Sequence, residues 1–289
     1  MIIHPGKFEA VIALLFLVIF SFTLAVSCEN ESATAVNTNE AVELPVIMYH
    51  HITESESKTG KYTVHKKEFE RDLEYIKSKG YTTVTVKDLI AFADRTADLP
   101  DKPIMITFDD GFESFYKIAY PLLNDYKMKA VVSVIGSVTE KYSETEDHNI
   151  NYSNLNWEEI SELHNSGLVE IQNHSYDMHK SDTKNRKGIS KLHSESEEAY
   201  KGALSSDLNR LQQLLYENCG FRPTAVAYPY GAFSNSTLSI IKECGFRCTF
   251  LCEERVNIII RGNSDSLYGL GRYNRESGIS TALFFDRFE

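Results

Sequence analysis

Residues 103 to 111 read PIMITFDDG, an almost wholly apolar run that ends in two adjacent carboxylates and a glycine. A continuous run of this kind suits a strand covered on both faces, as in a parallel sheet, rather than one with a wet side. The pattern recurs along the chain. Residues 44–49 (LPVIMY), 130–135 (AVVSVI), 169–172 (VEIQ), 225–228 (AVAY) and 246–251 (FRCTFL) read as further strands, and 81–86 is rich in β-formers. Between them lie helical patterns. In 67–79, Phe69, Leu73 and Ile76 share one face, and Gly80 ends the run. Residues 86–93 form a short helix, and 114–126 reads as a helix that Pro121 breaks or kinks. Asn156 is placed to cap a helix over 157–165 that Gly167 closes, and 194–217 and 235–244 complete the set. Strands that alternate with helices predict an α/β fold around a parallel sheet, open or closed into a barrel.

The chain has 289 residues, 42% hydrophobic and 11% aromatic, enough to pack a core. Its net charge of -11 argues against a nucleic-acid backbone as partner, since phosphate binding needs a basic surface. Residues 10–26 are an unbroken apolar run between Lys7 and the pair Ser27-Cys28. The small residues before Cys28 resemble a bacterial lipoprotein signal, with an uncleaved signal anchor as the alternative. Either reading exports the rest and confines membrane contact to this segment. Residues 29–43 read as a flexible tether, which leaves 44–289, about 245 residues, as one catalytic domain expected to act as a monomer. Cys219, Cys244, Cys248 and Cys252 lack the tight spacing of a zinc knot and are expected to be free thiols or one disulfide.

Three clusters stand where predicted strands run out, which is where α/β barrels present their reactive groups. Asp109 and Asp110 leave the 103–108 strand together; a cation relieves their repulsion by neutralising one, while the other remains available as a base. Taken alone, the pair also fits a solvated Asp-Gly turn. His174 and His179 in HSYDMH follow the 169–172 strand, and imidazole is the commonest neutral metal ligand. Five residues apart, the rings diverge on a helix and on a strand alike, so the segment must turn or bulge for them to meet. In AYPYG, Pro229 and Gly231 make a rigid turn around Tyr230 that can aim a backbone N–H into a pocket. One Asp and two His leave open positions on a metal, and a free carboxylate and an amide donor beside them are the parts for metal-assisted acyl hydrolysis.

TFDDG at 107–111, HSYDMH at 174–179 and AYPYG at 227–231 resemble the polysaccharide deacetylase family, carbohydrate esterase family four, as do MYHHI at 48–52 and the flanks at 69–90 and 156–174. The resemblance spans about residues 44 to 275. It implies a distorted (β/α) barrel with fewer than eight complete repeats. It makes Asp109 the general base, makes Asp110, His174 and His179 the ligands of one divalent metal (zinc, or cobalt or nickel), and gives the Tyr230 N–H to the oxyanion. The longer histidine spacing resembles the branch acting on poly-β-1,6-N-acetylglucosamine. The implied activity is removal of N-acetyl groups from an N-acetylglucosamine polymer such as matrix polysaccharide, peptidoglycan or chitin oligomers. An O-acetyl xylan esterase and a catalytically weak glycan-binding protein are the rivals. No histidine follows His193, so the C-terminal acid of many relatives has no counterpart. Arg272 stands in the matching region and is expected, with His50, to touch substrate; Asp109 returns the proton, or His50 or His51 supplies it. His65, His148, His164 and His193 read as solvent-facing, and Trp157 as a packing anchor.

Overall fold

The computed structural model describes residues 40–145, 147–181 and 186–289. Its strands are β1 (Ala41–Leu44), β2 (Val46–Tyr49), β3 (His51–Thr53), β4 (Thr63–His65), β5 (Thr82–Thr83), β6 (Pro103–Phe108), β7 (Ala130–Val134), β8 (Val169–Asn173), β9 (Ala225–Ala227), β10 (Cys248–Phe250), β11 (Asn257–Ile260) and β12 (Tyr273–Asn274). The α-helices are α1 (Lys66–Ser78), α2 (Val86–Ala93), α3 (Tyr120–Tyr126), α4 (Gly136–Glu144), α5 (Trp157–Asn165), α6 (Glu197–Cys219), α7 (Thr237–Glu243) and α8 (Thr281–Phe285).

The main sheet runs in the order β10-β9-β8-β7-β6-β2-β12, with β5 beside the start of β6, and every pairing in it is parallel. The two edges share one short segment. Leu270 bridges Phe250 of β10, while Tyr273 and Asn274 pair with Ile47 and Met48 of β2. The sheet therefore curls round on itself as the distorted barrel that the sequence predicts, with fewer than eight repeats.

Alternation along the strands divides the core. Ile104, Ile106 and Phe108 of β6 face the outer layer beneath α1, α3 and α5, together with Ala130, Val132, Val134, Val169 and Ile171. Met105 faces the barrel interior with Val46, Val131, Ala225, Ala227 and Cys248. By the same period of two, Thr107 and Asp109 point inward after Met105, and His174 follows the inner parity of β8. Full burial of each large side chain contributes roughly 1.5–3 kcal/mol, so this register is strongly fixed.

Local chemistry explains where elements start and stop. The Asn156 side chain accepts the Glu159 N–H and the Glu159 carboxylate accepts the Asn156 N–H, a reciprocal cap for α5. The 114–126 helix is interrupted at Pro121, as expected, where a π segment gives way to α3. Pro121 sits in the first turn of α3, where a missing N–H is tolerated, behind a wider π turn over Phe115–Ala119. Ser196 caps α6, so that helix begins later than its acidic approach suggested. The domain starts before Leu44, because Ala41–Glu43 of the expected tether are in β1 and pair antiparallel with β11. The run 10–26 and Cys28 lie outside the described residues; among those described, no helix is long and apolar enough to cross a membrane. His65 is buried and caps α1 by accepting the Lys67 N–H at Nδ1, so it does not face solvent as expected. Trp157 packs against the outer core, and Cys219, Cys244, Cys248 and Cys252 are free thiols.

Candidate metal centre and active site

All three motifs exit the barrel at the C-terminal ends of their strands: Asp109-Asp110 after β6, His174 after β8 and Tyr228-Pro229-Tyr230 after β9. The backbone is bent hard at each exit. Asp110, Ser175 and Tyr230 have φ of 70°, 71° and 58°, three of the five non-glycine residues with positive φ among the described residues. Such conformations cost of order 1–3 kcal/mol each and persist where the surroundings enforce them. The bend at Ser175 answers the spacing problem of the histidines. It turns the chain back so that the two rings lie 4.9 Å apart.

Asp110 Oδ1 lies 3.5 Å from His174 Nε2 and 3.2 Å from His179 Nε2. The three ligand atoms fall within 4.8 Å of one another. The other ring nitrogens are engaged: His174 Nδ1 donates to the Ala227 carbonyl at 2.9 Å, and His179 Nδ1 pairs with the Tyr230 hydroxyl at 3.1 Å. These bonds turn both Nε2 atoms towards Asp110, as outer partners of metal-bound histidines do. Asp110 Oδ1 is buried and has no hydrogen-bond partner. Burial pushes its carboxyl up to about 6, Asp109 adds to the rise, and His50 opposes it. His174 is pushed down to about 3 by burial, which keeps it neutral, as a ligand must be. An orphaned carboxylate oxygen facing two neutral imidazoles fits a divalent transition metal.

The HSYDMH loop is held from three sides. Gly136 and Ser137 at the start of α4 donate to the carbonyls of Ser175 and Tyr176 at 3.1 and 2.8 Å. A Cβ on Gly136 would lie 2.6 Å from the Tyr176 ring, so only glycine permits this approach. Asn173 Oδ1 accepts the Ser175 N–H at 2.7 Å. From α6, the Asp207 carboxylate accepts the N–H groups of Tyr176 and Asp177, each at 2.8 Å. Asp207 went unnoticed in the sequence because nothing marks it among the polar residues of a long helix.

Asp109 is buried, and Arg272 grips it with two parallel bonds of 2.7 Å, to Oδ1 and Oδ2. A third donor of Arg272, Nε, reaches the Leu251 carbonyl at 2.9 Å. Burial pushes the Asp109 carboxyl up, but Arg272, with His174 and His50, overrides it and holds the group well below the usual carboxylate range. This corrects the expectation that Arg272 touches substrate. Its side chain is fully buried and spent on Asp109 and the barrel backbone, and it is absent from the cleft lining.

Above these groups opens a cleft of about 810 Å³, lined by His50, Asp109, Asp110, His174, His179 and Tyr230, with His51, Tyr62, Asn151, Lys187, Glu254 and Glu276 around them. His50 Nδ1 is buried without a partner, and the ring lies against Tyr62 with centroids 4.8 Å apart. Burial pushes the His50 imidazole down, while Asp109 and Asp110 oppose the shift. His50 thus shares the cleft with both carboxylates. Tyr230 lines the same cleft, and its hydroxyl pairs with His179.

Several known proteins are similar to this chain. A poly-β-1,6-N-acetyl-D-glucosamine N-deacetylase of Staphylococcus aureus (strain MRSA252) is 29% identical over 207 residues, covering 72% of this chain and 66% of the relative, just under two thirds of its length. The structure of IcaB from Ammonifex degensii superposes with a TM-score of 0.65 at 27% identity, covering 80% of this chain and 90% of that one. A de-N-acetylase from Aggregatibacter actinomycetemcomitans has the same fold, with a TM-score of 0.72 at 21% identity over 85% of this chain and all of that one. The polysaccharide deacetylase family profile matches residues 96–249, more than half of the sequence and the stretch that holds all three motifs. The chain belongs to the polysaccharide deacetylase family.

Proposed function

We propose that the protein is a metal-dependent N-deacetylase that hydrolyses the acetamide of N-acetylglucosamine residues in a polysaccharide and releases acetate. The observation that carries this reading is the buried, unpartnered Asp110 Oδ1 facing two imidazoles, one residue from an arginine-paired carboxylate. Asp110, His174 and His179 would hold the ion, zinc first, with cobalt or nickel as alternatives. When bound, a divalent ion polarises the scissile carbonyl and lowers the pKa of water.

The remaining work belongs to the chain. Asp109 takes the proton of the attacking water, and the Arg272 fork fixes its plane and keeps it ionised between turnovers. The same fork disfavours a retained proton on Asp109, so a separate group suits the leaving amine. His50, which lines the same cleft with Nδ1 buried and unpartnered, is the other group in reach of the leaving amine, although burial pushes its imidazole down. The backbone N–H of Tyr230, fixed in its strained turn, is the donor for the tetrahedral oxyanion.

The similarity to the S. aureus enzyme favours β-1,6-linked poly-N-acetylglucosamine as substrate. Chelated protein reloaded with zinc, cobalt or nickel should release acetate from β-1,6-linked N-acetylglucosamine oligomers faster than from β-1,4-linked oligomers or acetylated xylan. Release from acetylated xylan alone would overturn the reading, and glycan binding without acetate release under any of the metals would reduce the protein to a lectin. Export is part of the proposal, since the apolar run ahead of Cys28 resembles a lipoprotein signal. Cys28→Ala should then abolish incorporation of labelled fatty acid.

A further inference from the structure

Outside the cleft, a second set of metal-ligating groups converges. Glu113 lies just after the TFDDG turn, Glu159 in the first turn of α5, and His148 in the loop between α4 and α5. Both carboxylates are buried, Glu113 completely, whereas the His148 side chain is 44% exposed. His148 Nδ1 lies 3.2 Å from Glu113 Oε1 and 3.2 Å from Glu159 Oε1, and one ligand atom from each residue falls within 4.8 Å of the others.

Two observations set this cluster apart from an ordinary acidic patch. Glu113 Oε2 is buried with no hydrogen-bond partner, although its carboxylate is turned into the cluster. Glu113 Oε1 and Glu159 Oε1 both lie against the same His148 nitrogen, so two carboxylates crowd one buried spot. The nearest cation, Lys117, approaches Glu113 and Glu159 at 3.5 and 3.7 Å from a side chain that is 41% exposed. One ammonium balances one carboxylate; a divalent ion balances both, and Glu113 offers it a carboxylate with one oxygen unpartnered.

We propose that Glu113, His148 and Glu159 form a second divalent-cation site, structural rather than catalytic. Two carboxylates and one imidazole suit zinc or manganese better than calcium or magnesium. The site has a clear mechanical role. The 147–155 loop is already stitched to the motif by Glu113 N–H to Ser153 O at 2.8 Å, Leu155 N–H to Gly111 O at 2.8 Å and Asn154 Nδ2 to Asp110 O at 2.7 Å. An ion held by the turn, the loop and α5 would lock that stitching, and with it Asn151 at the cleft wall.

Zinc content after chelation, reloading and dialysis tests the proposal. The full chain should retain about two equivalents and Asp110→Ala about one, with Asp110→Ala/His148→Ala retaining none. Zinc should also raise the thermal midpoint of Asp110→Ala but not that of the double variant. His148 is the ligand chosen for replacement because its exposed ring leaves the core intact, and circular dichroism of each variant checks the fold. If Asp110→Ala binds no zinc, or keeps it after His148→Ala, the assignment is wrong and Lys117 alone serves the pair. The first metal site stands or falls separately, by the equivalent that Asp110→Ala removes.

Discussion

Replacing Arg272 with Met tests the link between the barrel and the base. The substitution keeps much of the side-chain volume and removes the guanidinium, which leaves Asp109 buried without its two 2.7 Å bonds. Breaking a buried ion pair by removing one partner costs about 3–5 kcal/mol, because the remaining charge has no counterpart. A domain of this size loses roughly 2–4 °C of melting temperature per kcal/mol, so the midpoint should fall by about 6–20 °C. Urea denaturation in chelator separates this effect from metal loading. The double variant Asp109→Asn/Arg272→Met removes both charges and should recover most of the loss, a coupling readable as a double-mutant cycle. Turnover of Arg272→Met should drop while zinc content stays unchanged. A single variant within about 1 kcal/mol of the parent, with no coupling in the cycle, would refute the claim that Arg272 is there to hold Asp109.

Other substitutions probe the rest of the site. Asp110→Ala should remove the catalytic metal equivalent and abolish acetate release, whereas Asp109→Asn should keep the metal and lose turnover; an active Asp109→Asn enzyme would displace the assigned base. Asp207→Ala frees the N–H groups of Tyr176 and Asp177 and should weaken zinc binding about 10–100-fold, with excess zinc restoring turnover. Unchanged zinc affinity would show that the loop holds its shape without α6. Gly188 has φ of 53°, and a Cβ there would sit 2.3 Å from the Pro229 carbonyl, so Gly188→Ala should displace the Tyr230 turn, lowering kcat and, through the Tyr230–His179 bond, weakening zinc binding. Cys248 is fully buried and burial pushes its thiol up, so thiol reagents should modify it only on unfolding; fast labelling of the native protein would contradict the packing of β10.

Much of this was legible in the sequence wherever local chemistry decides structure. Residues 103–108, 86–93 and 157–165 form the elements read from their apolar runs and caps, because those signals are complete within a few residues. Strands β1, β11 and β12 were missed, since each is short and defined by a partner far along the chain. Helix α4 was missed because GSVTEKYSE carries little apolar periodicity and is set instead by its place after β7. The proposed metal ligands Asp110, His174 and His179 could be named because their motifs follow recognisable strand exits. The Arg272–Asp109 pair could not: 163 residues separate the partners, and only the closing of the barrel brings them together. A motif shows which groups are present, but their pairing is a property of the assembled sheet.

The short segment from Leu270 to Asn274 spans both edges of the barrel and carries the counter-charge of the base. A growing polypeptide therefore has all three motifs in hand long before it can neutralise Asp109. Until synthesis passes residue 272, the nascent chain holds a carboxylate that favours solvent over the interior, and closure waits on the last stretch to emerge. The base can thus be buried with its counter-charge only once the 270–274 segment has joined both edges of the sheet.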